Sequence, residues 1–308
     1  VFTRREILKQ AAGIAGVASF PRLAAEALAS APLPRTPIDF KVPAGACDCH
    51  THIFDPGHFS YAASRPYTPE TANVNDVRAL QRALHMDRVI ISQPTVYGTD
   101  HTCTLDAIKQ LGNRARGVGF ISENITDAEM DRLHAGGIRG VVVHGIGNLS
   151  SAAARIKGRG WSIETFVRPA DLDGIKDKII SADVPIVLTL FGGAKAALGV
   201  HQPGFDTLLG LLGSGKVYVD LSDPNRASDR APDFPDVAPI AKALIAANPE
   251  RITWGTDWPH ATATPGLQPS GLDPVDDGLS LNLLHSWTSG ADQLKRILVD
   301  NPARLYGF

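Results

Sequence analysis

From Ala46 to the C-terminus the chain alternates between two hydrophobic patterns. Short β-branched or apolar runs at Ala46–Ile53, Arg88–Gln93, Arg116–Ser122, Arg139–Gly145, Trp161–Val167, Pro185–Gly192, Lys216–Ser222 and Arg251–Trp258 have the length and content of strands. Between them lie stretches of helical period: NVNDVRALQRALHM, CTLDAIKQLG, DAEMDRLHAGG, PADLDGIKDKIISA, FDTLLGLLG and VAPIAKALIAANP, with GADQLKRILVDNPARL closing the chain. Several open on Asp, Asn or Pro, which suit a helix start. Asn148–Gly160 is compatible with a short helix or a loop. Eight strands, each followed by a helix-sized connection, predict an α/β fold, a single (β/α)8 TIM barrel over residues 45–308. No strand is followed by G-x-G-x-x-G or by a phosphate-cradling turn ending in Lys-Ser/Thr, which argues against an open doubly wound sheet.

The first 31 residues break this pattern. TRREILK sets Arg4 and Arg5 ahead of a mildly apolar, Ala/Gly-rich stretch, Gln10 to Phe20, and ALASA ends in the small-x-small pattern of Ala29 and Ala31. This resembles a twin-arginine export signal, with an ordinary amphipathic helix as the alternative. The expectation is a signal over residues 1–31, export through the twin-arginine machinery and work in the bacterial periplasm. The stretch is too short and too weakly apolar for a stable membrane anchor, and Pro21 and Arg22 interrupt it. Residues 32–44 read as a Pro-rich linker.

Composition narrows the partners. With 308 residues, 44% of them hydrophobic, the chain can bury a large core, and a net charge of -2 with both signs scattered offers no basic field for nucleic acid or an anionic membrane. A small molecule is the expected partner. Cys47, Cys49 and Cys103 are too few for a disulfide framework, and a bridge between Cys47 and Cys49 on one strand would be strained, so free buried thiols are expected.

Barrel chemistry gathers where strands end. The first strand ends CDCHTHIF, and strict alternation would put Asp48, His50 and His52 on one face and Cys47, Cys49 and Thr51 on the other. Two imidazoles pointing one way can clamp a divalent metal or donate to a substrate carbonyl; they can also be satisfied core histidines. Asp257, in WGTDWPH, closes the eighth strand, the neighbour of the first in a closed barrel. An ionised Asp there can take a proton from water, and three polar groups from opposite ends of the chain would meet at one mouth.

Taken together, DCHTHIF, QPTVYGTD, VYVDLSDPNR and PERITWGTDWPH resemble the amidohydrolase superfamily, in the branch of 2-pyrone-4,6-dicarboxylate lactonase, sugar lactonases and galactarolactone isomerase. The similarity runs from about Gly45 to the C-terminus and is most specific at its two ends. It implies a barrel acting on a lactone of a small carboxylated molecule, often without a catalytic metal. By position, Asp257 would be the general base, His50 and His52 would polarise the lactone carbonyl and Arg226 would pair with a substrate carboxylate. If a metal is bound, most readily Zn2+, its ligands would be His50, His52 and Asp257.

Departures from the branch shape the remaining expectations. IVLTLFGG has Thr189 and Leu190 where relatives commonly carry Asp-His, and GIRGVVVHG has Val142 and His144 where many have Arg and Asn. Leucine neither ligates a metal nor donates a hydrogen bond, so a full multi-histidine site is not expected, and the substrate would carry fewer carboxylates than the pyrone. His144, Arg65 in the SRPYTPETA loop, the Tyr97 hydroxyl and His260 are further candidate substrate contacts, with a plain surface role for Arg65, core packing for Tyr97 and bracing of Asp257 for His260 as the alternatives; His201 reads as solvated. The alternatives to a hydrolase are a lactone isomerase, a metal-dependent decarboxylase and a periplasmic binding protein without catalysis.

Overall fold

The computed structural model describes residues 31–145, 147–262, 265–266, 269–273 and 275–308. The expected export signal, apart from Ala31, lies outside the described residues.

Eight parallel strands pair in sequence order: β1 Cys47–Thr51, β2 Arg88–Ser92, β3 Ala115–Gly119, β4 Ile138–Val143, β5 Ser162–Thr165, β6 Ile186–Leu188, β7 Val217–Ser222 and β8 Ile252–Gly255. The last returns to the first. His52 N donates to Trp258 O at 2.8 Å and Asp257 N donates to His50 O at 2.8 Å, closing the sheet into a barrel. Two shells of apolar residues hold it. One packs the strands against the helices, around Ile91, Val141, Ile163, Leu188, Val219 and Trp254. A smaller cluster of Cys47, Cys49, Ile90, Val118, Val187 and Tyr218, stoppered by Leu305 and Tyr306 of the last helix, fills the barrel interior. The three thiols are free and buried.

The helical patterns form where their caps allow. Helix Val74–Leu84 starts at Asn73, whose side chain accepts from Asn75 N, while the Asp76 carboxylate closes a capping box. Asn148–Gly160 contains a helix, Leu149–Ile156, with its apolar side on the barrel. PADLDGIKDKIISA divides instead into a 3-10 turn, Pro169–Gly174, and a short helix, Lys176–Ser181. Among the described residues no helix is long and apolar enough to cross a membrane. The linker is irregular but seated: Trp258 Nε1 donates to Pro32 O at 2.7 Å, Thr36 N donates to both Asp276 oxygens, and Asn282 Nδ2 donates to Pro37 O at 2.9 Å.

Three expectations are corrected. β1 does not alternate strictly: its register against β2 shifts between Asp48 and Thr51, and Asp48 turns to β8, accepting from Thr256 N at 3.0 Å and Thr256 Oγ1 at 2.8 Å rather than standing beside the histidines. β6 does not reach Gly192. It stops at Leu188, and Leu190, Phe191, Gly192 and Gly193 all take positive φ, reversing the chain where a Cβ on Gly193 would strike Val167 O at 2.3 Å. β8 stops at Gly255, so Asp257 sits two residues beyond the strand, in the left-handed region at φ 67°.

Candidate active site

At the C-terminal mouth of the barrel, His50 from β1 and His52 just beyond it meet Asp257 beyond β8. His52 Nε2 lies 2.9 Å and His50 Nε2 lies 3.3 Å from the same Asp257 oxygen, Oδ1. The two rings stand edge to face, centroids 5.0 Å apart. His52 Nδ1 is 2.7 Å from Ser92 O, an acceptor only, so Nδ1 carries a proton and Nε2 is aimed at the carboxylate.

Two more carboxylates rise from inside the barrel. Glu164 of β5 and Asp220 of β7 approach His50 Nδ1 at 3.6 and 4.0 Å. Glu164 also accepts from Ser92 Oγ at 2.7 Å, and Asp220 accepts from Thr253 Oγ1 at 2.7 Å. Burial opposes a charge on His50, but Glu164, Asp257 and Asp220 outweigh it and push its pKa up to about 10. For Asp257 burial works upward, yet hydrogen bonds from both histidines and their charge hold it well below the usual carboxylate range. The pair is therefore an imidazolium facing a carboxylate, with Asp220 raised by its own burial and left with one oxygen lacking a hydrogen-bond partner among the described residues.

Behind Asp257 lies a second buried set. His260 Nε2 is 3.0 Å from Asp277 Oδ1, and His260 Nδ1 is 3.7 Å from Asp223 Oδ1. Burial would lower the His260 pKa, but Asp277 and Asp223 raise it well above the ordinary histidine value. Asp223 is pushed to about 6 by burial and by neighbouring Asp257, against the pull of His260. Asp223 and His260, like Asp257, hold positive φ, 52° and 60°. Such backbone costs on the order of 1 kcal/mol per residue and persists where the surroundings over-determine it.

A cavity of about 210 Å³ opens on the reactive trio, with Tyr67, Thr95, Phe120, Val142, Phe166 and Leu190 among its walls. Of the expected substrate contacts, His144 stands in this wall. Arg226 is not among the lining residues: it is half-exposed, its Nε donates to Asp223 Oδ2 at 3.2 Å, and its charge reaches the wall residue Tyr67. His260 is buried between two carboxylates and braces the turn instead of lining the cavity. Arg65 belongs to its own loop, with Nε on Thr68 Oγ1 at 2.8 Å and the guanidinium over Tyr61. Tyr97 is displaced from the expected set: its hydroxyl accepts from Asp55 N at 2.8 Å in the core, and Tyr67 takes the wall position.

Sequence reasoning missed Glu164, Asp220, Asp223 and Asp277. The signal for the first two was an acid inside an apolar strand, SIET and VYVDLS, where an unpaired charge would be prohibitive. For Asp223 and Asp277 no local signal exists, because both read as turn or helix-start acids.

One atom each from His50, His52 and Asp257 lie within 4.8 Å of one another, and the Ser92 carbonyl fixes the His52 tautomer as an outer partner does in metal sites. The donor set suits a divalent ion with open positions.

The amidohydrolase family profile matches residues 47–308. The chain is 36% identical to a 4-sulfomuconolactone hydrolase of Rhizobium radiobacter, over 88% of this chain and 93% of that one. It is 32% identical to a 2-pyrone-4,6-dicarboxylate hydrolase of Comamonas testosteroni, over 87% and 92%. A crystal structure from Agrobacterium tumefaciens, in its apo form, superposes with a TM-score of 0.78 at 25% identity, covering 89% of this chain and 98% of that one.

Proposed function

The chain belongs to the amidohydrolase family, and from that premise we propose that it hydrolyses a lactone of a small carboxylated molecule, with Asp257 as the general base. The observation that carries this reading is the single Asp257 oxygen facing two imidazoles from the far end of the sequence, 2.9 and 3.3 Å away. The relatives named as lactone hydrolases support the substrate class.

A water entering the cavity gives its proton to Asp257, and its oxygen adds to the lactone carbonyl carbon. The negative charge that develops on the carbonyl oxygen is met by the imidazolium of His50, held charged by Glu164 and Asp220 in a buried setting where such charge acts strongly. Collapse breaks the ring C–O bond, and the proton on Asp257 passes to the departing alkoxide, leaving a hydroxy acid. No covalent enzyme intermediate is needed. Arg226, half-exposed and near the wall residue Tyr67, orients one substrate carboxylate. With His50 neutral in place of the imidazolium, a divalent ion held by His50, His52 and Asp257 would instead supply Lewis acidity to the carbonyl or the water.

The paired Arg4 and Arg5 support export to the periplasm through the twin-arginine route; fusing residues 1–31 to a reporter tests that separately. The hydrolase reading is tested by a lactone panel with a pH indicator, because ring opening releases acid and isomerisation or binding does not. Turnover lost in Asp257→Asn supports it; wild-type protein that releases acid from no lactone, or a variant with undiminished rate, overturns it.

A further inference from the structure

The cavity has two unlike halves. His50, His52 and Asp257 occupy the side made by β1 and β8; where β3, β4, β5 and β6 end, Phe120, Val142, His144, Phe166 and Leu190 line the facing side, with Glu164, Thr165 and Thr189 as its polar members. Its described lining residues include neither Lys nor Arg. The Phe120 and His144 rings lie 4.9 Å apart at 33°, a ready-made aromatic wall. Phe166 is 46% exposed, so its ring contributes little to the folded core. The wall also continues outward. Phe120, Val142 and His144 border a neighbouring cleft of about 550 Å³, and Phe166 edges another of about 560 Å³.

Charge on this side is already committed. Arg155 spends its guanidinium on Asp127 Oδ1 and Ile125 O, both at 2.7 Å, and Arg168 makes two bonds to Asp171 at 2.7 and 3.1 Å. Glu123 adds a negative charge to the outer cleft. A carboxylate lodged here would lose water and, among the described residues that line this side and its outer clefts, meet no Lys or Arg that is not already paired, whereas an apolar ring would lose only water from its faces.

We propose that Phe120, His144 and Phe166, with Val142 and Leu190 as floor, form a subsite for an apolar, ring-bearing substituent of the lactone, so that the substrate carries an aryl group here and at most one carboxylate, toward Arg226. The proposal rests on the lactone-hydrolase reading, but its binding test does not depend on turnover.

Calorimetry on the full chain would compare three six-membered lactams, whose amide opens far more slowly than an ester: unsubstituted, aryl-substituted and dicarboxylated. The aryl lactam is expected to bind about 10- to 100-fold more tightly than the unsubstituted one, the usual worth of burying a phenyl group. That preference should shrink to about threefold or less in Phe166→Ala and in Phe120→Ala, and the kcat/KM ratio of aryl to unsubstituted lactone should fall with it. Dicarboxylated lactam binding as tightly as the aryl one, or an aryl preference that survives both variants, overturns the subsite. An aryl preference lost in the variants, in a protein that opens no lactone, upholds the subsite and removes the hydrolase reading instead.

Discussion

Gly255 of β8 lies against His50 of β1 so closely that a Cβ there would stand 2.6 Å from both the Cβ and the backbone nitrogen of His50. The missing side chain lets the last strand approach the first, and the bond from Asp257 N to His50 O follows from that approach. Gly255→Ala must push the strands apart. It is expected to cost about 2–4 kcal/mol in denaturant unfolding and to lower turnover in whatever protein remains folded. Unchanged stability would mean that the seam is not set by this contact.

Asp257→Asn keeps the shape of the side chain and removes its capacity to take a proton. Turnover is expected to fall by about 10²- to 10⁴-fold; thermal stability falls as well, because buried His50 loses one of the carboxylates that hold it charged, so the rate is read on protein that remains folded. Single-turnover kinetics on a lactone substrate checks this, and a rate near that of the unaltered protein removes Asp257 from the base role.

Glu164→Gln tests who keeps His50 charged. Burial alone would lower the His50 pKa from 6.5, and the carboxylates of Glu164, Asp257 and Asp220 raise it to about 10. A raised histidine lends stability that is complete below about 6.5 and is lost as pH rises through about 10. Removing the Glu164 charge is expected to move the alkaline limb of kcat/KM, and the alkaline loss of stability, down by about one pH unit or more. A profile that stays in place assigns the limb to another group.

His260→Ala leaves Asp223 and Asp277 buried without the imidazolium between them. The expected loss is about 3–5 kcal/mol at neutral pH, as for a buried ion pair that loses one partner. The loss should shrink toward acid pH, since burial already raises both carboxyls, Asp223 to about 6, and the variant can protonate them. Chemical unfolding at two pH values reads the difference; an equal loss at both would argue for packing and not charge.

Much of the barrel was legible along the chain because each strand and helix carries its own period and its own punctuation. The eight runs, the capped helix after Asn73 and the His-x-His pair all follow from neighbours a few residues apart. Tyr97 and Tyr67 show the limit. Both sit in loops after strands with similar turn chemistry, and only the packing of the Tyr97 hydroxyl against Asp55 N puts one in the core and the other at the cavity.

By itself, then, the sequence determined the alternation that makes a closed parallel barrel, and it put reactive residue types near the ends of the first and last strands. The tertiary structure alone decided that Glu164 and Asp220 face His50, that Asp223 stands behind Asp257, and that Asp48 turns away. The physical reason is that facing across a barrel depends on stagger between strands and on local breaks such as the register shift in β1, and one residue of slip reverses every side chain beyond it. Those quantities are properties of strands in contact, and no single stretch of the chain carries them.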